Sequence, residues 1–128
     1  MKDYYLTKLN ENVYLLERMY SEGGEDFTEV LAYDSLNDRI ENIGTSYYDM
    51  SYYYNKDYVI FATEDNIEFV FDVNAFDFIT DERLKRRAFD KMMSGSMLEM
   101  LDYERTVIHA DKRNKLVKAL KKKIEVLN

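Results

Sequence analysis

The chain has one histidine, His109, and no cysteine. A nucleophilic triad would combine His109, an orienting acid such as Asp111 and a serine from elsewhere, but no G-x-S-x-G sequence presents that serine. Zinc needs several His or Cys ligands, which are not available. Without cysteine, disulfides, iron–sulfur clusters and a thiol nucleophile are excluded. Carboxylates are plentiful. Glu64, Asp65, Glu68 and Asp72, on or beside one hairpin, are the set from which a small metal-dependent nuclease would draw ligands for magnesium. The nearest basic residues in sequence, Lys56 and Arg83, form no recognisable motif with them. Gly23-Gly24 lacks the spacing of a phosphate-cradling loop, and the acids around it repel phosphate. The expectation is a protein that is not an enzyme and uses no metal or cofactor.

Charge is more informative. Residues 1–82 hold 19 acidic and 5 basic side chains, whereas residues 83–128 hold 13 basic and 6 acidic. Such asymmetry suggests electrostatic recognition, or two halves of one domain attracting each other. The basic side belongs to Arg83, Lys85, Arg86, Arg87 and Lys91, and to Lys112, Arg113, Lys115, Lys118, Lys121, Lys122 and Lys123. A nucleic-acid-binding regulator would use these C-terminal helices on a phosphate backbone, but the acidic segment would repel a long duplex. The inverse fits the total charge of −7 better. Glu22, Glu25, Asp26 and Glu29, with Asp34, Asp38, Glu41, Asp49, Asp57, Glu64 and Asp65, can stand in for phosphates on a partner's basic groove.

Six of the twelve tyrosines lie between residues 47 and 58: Tyr47, Tyr48, Tyr52, Tyr53, Tyr54 and Tyr58. As a helix, Tyr47, Tyr54 and Tyr58 fall together; as a strand, Tyr52 and Tyr54 face one side and Tyr53 the other. Six rings cannot all point inward in either case. Tyrosine combines a large contact area with few rotatable bonds. A stacking platform for single-stranded nucleic acid would want basic neighbours, yet Asp49 and Asp57 flank this stretch and Lys56 is its one cation. A protein partner is therefore expected, with Tyr52, Tyr53 and Tyr54 serving binding more than stability. In size, charge, composition and lack of catalytic residues, though in no motif, the chain resembles small acidic inhibitors made by phages and mobile elements. Anti-CRISPR and antirestriction proteins are examples, as are the immunity proteins of nuclease toxins. That resemblance implies occlusion of a defence nuclease's basic surface.

These side chains need a scaffold. At 128 residues, with 46% hydrophobic and 34% charged, the chain reads as a single globular domain spanning 1–128. Residues 4–9, 13–20 and 27–33 alternate as a three-stranded antiparallel meander, with Gly23-Gly24 in its second turn. Leu36, Ile40 and Ile43 fall at helical spacing after Ser35, predicting a short helix near 36–43 closed by Gly44. Residues 58–63 and 67–73 make a hairpin. Thr80 is a candidate N-cap for a helix ending at Ser94-Gly95, Ser96 caps a second short helix through about Tyr103, and Asp111 caps a last one. Thr106-Val107-Ile108 reads as a final strand or an extended link. The fold class is α+β: an antiparallel sheet of about five strands in the N-terminal two thirds, with C-terminal helices packed on it. No apolar run approaches the roughly 20 residues of a membrane helix. Met1-Lys2-Asp3-Tyr4-Tyr5 lacks a signal peptide's apolar region, so a cytoplasmic location is expected.

Overall fold

Leu15 and Leu16 are neighbours in a strand, so their side chains leave opposite faces, yet both are fully buried. The same holds for the runs Val30 to Tyr33 and Val59 to Ala62. Strands of this kind need cover on both faces. The computed structural model, which describes residues 2–95, 105–110 and 113–127, provides that cover as four layers: helix, sheet, sheet, helix.

Strands β1 (Lys2–Lys8), β2 (Val13–Glu22), β3 (Glu25–Asp34), β4 (Arg39–Ser46) and β9 (Arg105–Ala110) form a five-stranded antiparallel sheet, ordered β4-β3-β2-β1-β9. Strands β5 (Ser51–Tyr54), β6 (Tyr58–Ala62), β7 (Ile67–Asp72) and β8 (Asp77–Ile79) form a second, ordered β5-β6-β7-β8. Helix α1 (Glu82–Gly95) follows β8, and helix α2 (Arg113–Leu127) follows β9. The fold is thus α+β with antiparallel sheets, and its helices come after most of the strands.

Between the sheets, Leu15, Val30, Ala32 and Ile43 meet Tyr54, Val59, Phe61 and Phe71. On the outer face of the larger sheet, Leu6, Leu16, Leu31 and Ile108 meet Leu116 and Leu120 of α2. On the outer face of the smaller sheet, Ile60 and Val70 meet Ala88 and Met92 of α1. Each large aliphatic side chain so enclosed contributes about 1.5–3 kcal/mol relative to exposure. Among the described residues, no helix is long and apolar enough to cross a membrane.

The helix expected near 36–43 is absent, and β4 occupies most of that stretch. Asp34 accepts hydrogen bonds from the Leu36 and Asn37 amides (3.0 and 3.4 Å), making a turn, and Asp38 takes a left-handed φ of 54°. Leu36, the supposed first core residue, is exposed. Ile40 and Ile43 face opposite layers, α2 and the inter-sheet core respectively. The free edge of β3 offers a full ladder of backbone bonds, and a ladder with two buried faces outweighs a weak helical period. Gly44 is no helix cap: it pairs with Val30 next to a β-bulge, and the Phe61 ring lies 3.3 Å from where its Cβ would be. Helix α1 begins on Asp81 rather than Thr80, with the Asp81 carboxylate accepting from the Leu84 amide at 3.0 Å. The caps expected at Ser96 and Asp111 fall outside the described residues.

Because Phe61 fills the space over Gly44, Gly44→Val should overpack the sandwich and cost about 1–3 kcal/mol in urea denaturation. Adding Phe61→Leu should restore part of that loss. Wild-type stability for the single variant would mean the ring moves aside freely.

Candidate functional site

The register of the strands decides which side chains share a surface. Strands β2 and β3 close at Glu22↔Glu25 through Gly23-Gly24, whose φ values of 61° and 82° suit a two-residue hairpin loop. No neighbouring atom crowds either glycine, so conformation alone requires them. Strand β4 ends beside this hairpin at Thr28↔Ser46. A tight turn with the Tyr47↔Met50 bridge then passes the chain to the second sheet. There Ser51 pairs with Ala62, and Ala62 with Ile67, so the β6–β7 turn holding Glu64 and Asp65 lies at the same end. Three turns from two sheets therefore meet at one end of the sandwich.

That end gathers Glu22, Glu25, Asp26, Asp49, Glu64 and Asp65, with Tyr47 half exposed and Tyr48 96% exposed. The turns themselves, residues 21–26, 47–50 and 63–66, contain no lysine or arginine. Ser21 donates to Asp26 at 2.6 Å. Among the described residues, no side-chain hydrogen bond or ion pair engages Glu22, Glu25, Asp49, Glu64 or Asp65. Past Thr28 the β2–β3 hairpin continues beyond its pairing with β4, stiffened by Tyr20 stacked on Phe27 (5.3 Å) and Arg18 over Tyr20 (4.3 Å).

The opposite end treats its polar side chains differently. Asn10, Asp34, Asn55 and Asp72 each accept from backbone amides two and three residues on, at 2.8–3.4 Å. Such Asx turns consume the side-chain oxygens within the fold. Asp57 sits there too, accepting from the Asn74 amide group at 3.2 Å. Asp38 accepts from the Tyr33 hydroxyl (2.6 Å) and from Lys121 of α2 (3.0 Å). The Tyr33 hydrogen bond first, and Lys121 second, hold the Asp38 carboxyl below its ordinary range. Tyr33 is pushed well above the ordinary phenol range, by burial first and then by Asp38.

Of the residues singled out in sequence, Glu22, Glu25, Asp26, Tyr47, Tyr48 and Asp49 come together at the acidic end. The other five lie elsewhere. Glu29 pairs with Arg18 at 3.4 Å on the sheet, and Asp57 is at the far end. Tyr54 is buried between the sheets, and Tyr52 stacks on Phe61 (5.5 Å) while donating its hydroxyl to the buried Glu17. Tyr53 packs on the α1 side. Glu64 and Asp65, which the sequence offers both as nuclease ligands and as phosphate stand-ins, lie at the acidic end, while Asp72 holds a turn at the other end of β7. Among the described residues no three acidic, His or Cys side chains converge as a metal site. His109 meets Asp3 across the β1–β9 pair at 2.6 Å. Asp111, its expected orienting partner, lies outside the described residues. In the basic segments, Lys85 is buried and donates to the Glu68 carbonyl (3.2 Å) and to Glu82 (3.4 Å), so it serves the fold. Hairpin pairing was the signal that unites Glu22 with Glu64, once the β4–β5 turn is known to join two sheets.

No protein-family model, curated protein or solved structure matches this chain.

Two outcomes follow from this placement. Tyr52→Phe removes a donor from the buried Glu17 carboxyl and should cost about 1–3 kcal/mol in chemical denaturation; an unchanged midpoint would remove that bond from the fold's account. Asp38 has a lowered carboxyl pKa in the folded state, so its stabilisation is present above the unfolded value of about 3.9 and is lost as pH falls through the folded one. Asp38→Asn, which tolerates the positive φ, should flatten the acid limb of the melting temperature against pH. Superimposable limbs would contradict it.

Proposed function

We propose that this is a non-enzymatic binding protein whose acidic, tyrosine-bearing end occupies the basic nucleic-acid-binding surface of a protein partner. The partner's class would be a nuclease or another nucleic-acid-handling protein, and the setting that suits such a device is phage-type inhibition of a bacterial defence nuclease. One observation carries the reading: three turns from two sheets bring Glu22, Glu25, Asp26, Asp49, Glu64 and Asp65 to one end beside Tyr47 and Tyr48. The contrast with the opposite end supports it, since Asp34, Asp38, Asp57 and Asp72 there accept hydrogen bonds within the fold. Carboxylates left in solvent steer a basic partner and raise its association rate. Tyr48, a large ring held in water by a short turn, is suited to be a contact of high energetic weight.

A second reading, a nucleic-acid-binding regulator, draws on Lys115 and Lys118, exposed on α2. Gel-shift assays with duplex and single-stranded DNA and RNA at low salt separate the two: a shift abolished by Lys115→Glu with Lys118→Glu favours the second reading.

The leading reading is tested by capture from a bacterial lysate, then by competition. A nuclease or other nucleic-acid-binding protein should be retained, released by salt, and displaced by its own nucleic acid. Reversing Glu22, Glu25 and Asp49 to Lys should weaken capture by about tenfold or more, and Tyr48→Ala should weaken it while leaving stability within about 0.5 kcal/mol. Salt-insensitive capture, or capture indifferent to all four substitutions, would sink the reading.

A further inference from the structure

A sheet edge is a template for another strand, and proteins blunt the edges they do not use by brevity, bulges or charge. Four strands here stand at edges: β4 and β9 in the larger sheet, β5 and β8 in the smaller. Strand β8 has 3 residues and β5 has 4. Strand β4 is irregular where it faces Val30 and Leu31, and carries an Arg39–Glu41 ion pair at 3.0 Å. Strand β9 is longer than β5 and β8 and has no bulge; it carries Arg105 and His109, and His109 is paired with Asp3 of the neighbouring β1 at 2.6 Å. Its 6 residues pair with β1 in unbroken register from Lys2↔Ala110 to Thr7↔Arg105. Among the described residues, nothing pairs with its outer edge.

Beside that edge runs a groove of about 330 Å³ between β9 and α2. Val107, 40% exposed, Ala119 and Val126, 76% exposed, give it apolar walls, and Lys122 and Lys123 line it with cations. An open ladder and an apolar groove with positive charge thus lie side by side.

We propose that β9 and this groove form a binding site for an extended, acidic segment of a partner protein, added as a sixth strand to the larger sheet. Main-chain hydrogen bonds to β9 would supply affinity, and alternate side chains of the added strand would supply selectivity. Those pointing to the α2 side would include both aliphatic groups, resting on Ala119 and Val126, and carboxylates, reaching Lys122 and Lys123. A second copy of this chain fits less well. Pairing β9 with β9 antiparallel would bring the same two lysines of both copies towards each other, and like charge opposes that contact. The site is independent of the acidic end: it lies on the sheet edge opposite β4.

The test uses the full chain and a blocked, fluorescein-labelled octapeptide in which threonine alternates with valine and glutamate, so that two valines and two glutamates share one face. Polarisation should show saturable binding, and amide NMR shifts should concentrate on β9 and the last turns of α2. Lys122→Glu with Lys123→Glu should weaken binding by roughly tenfold or more without moving the thermal melt, and so should replacing the peptide's glutamates by lysine. A peptide N-methylated on alternate amides should not bind. No saturation up to about millimolar peptide, shifts centred elsewhere, or equal binding of the lysine peptide would overturn the proposal. So would displacement of the peptide by an oligonucleotide that depends on the same lysines. A dimer of the free protein, seen in sedimentation and holding β9 at its interface, would give the edge to a second copy instead.

Discussion

The rest of the structure depends on strands that are apolar on both faces. Leu15 with Leu16, Val30 with Leu31, and Ile60 with Phe61 each send large groups in opposite directions, and all are fully buried. A single sheet with one helical layer would cover one direction only. The second sheet covers the inner face of the first, and α2 its outer face. The second sheet then has an outer face of its own, with Ile60 and Val70, which α1 covers. The order of layers follows from that chain of obligations. So does the place of the helices, because amphipathic helices close a stack without creating another apolar face.

Much of this was legible from local pattern. The meander, the β6–β7 hairpin, α1 and α2 all stand on strong alternation or helical stripes, and the structure has each of them. What local pattern could not give was the partition into two sheets. The run Tyr58 to Ala62 reads as one more strand, and nothing in it says which sheet it joins. That depends on the β4–β5 turn, where Tyr47 and Met50 bridge and the chain changes layer. The error at 36–43 has the same origin. Leu36, Ile40 and Ile43 satisfy a helical period, but the period is weak evidence in eight residues, and the open edge of β3 decided the matter. Tyr52 and Tyr54 were read as candidates for a surface because six rings seemed too many for a core. A four-layer fold has three apolar interfaces, and these take up four of the six tyrosines.

The charge asymmetry of the sequence is resolved in space only in part. Lys121 reaches Asp38 across 83 residues and ties α2 to the turn after β3. Otherwise the acids divide by end. At the Asx-turn end Asp34 and Asp72 accept from nearby backbone amides and Asp38 and Asp57 from side chains of the fold, uses that fix loops. Those at the other end occupy a glycine hairpin, a two-residue crossover turn and a polar loop, where no fold-internal donor meets most of them. Equal residue types thus have different roles, and hydrogen-bond accounting, not composition, separates them. The half-buried Glu29 belongs to neither group: with Arg18 it forms a pair on the sheet face, as expected of a cross-strand pair of opposite charge.

Within the apolar space between the sheets one directional contact stands out, the Tyr52 hydroxyl on the buried Glu17 carboxylate. Burial alone has no preferred direction, so shape fit and directional contacts decide how the layers sit. A hydrogen bond is directional, and removing a donor from a carboxyl buried in the core is costly. Tyr52 belongs to β5 of one sheet and Glu17 to β2 of the other, so their bond links the two sheets and, with packing such as Phe61 over Gly44, constrains their offset. It also sits close in sequence to the acidic end: Glu17 leads up its strand to Glu22, and Tyr52 follows Tyr48 and Asp49 out of the crossover turn. Fixing that offset fixes where the β2–β3 hairpin stands relative to the β6–β7 turn. For the proposed partner, a surface so ordered in advance would lose less entropy on binding than one assembled on contact. A buried carboxyl that looks costly for stability thus also ties together two sheets whose turns share one end.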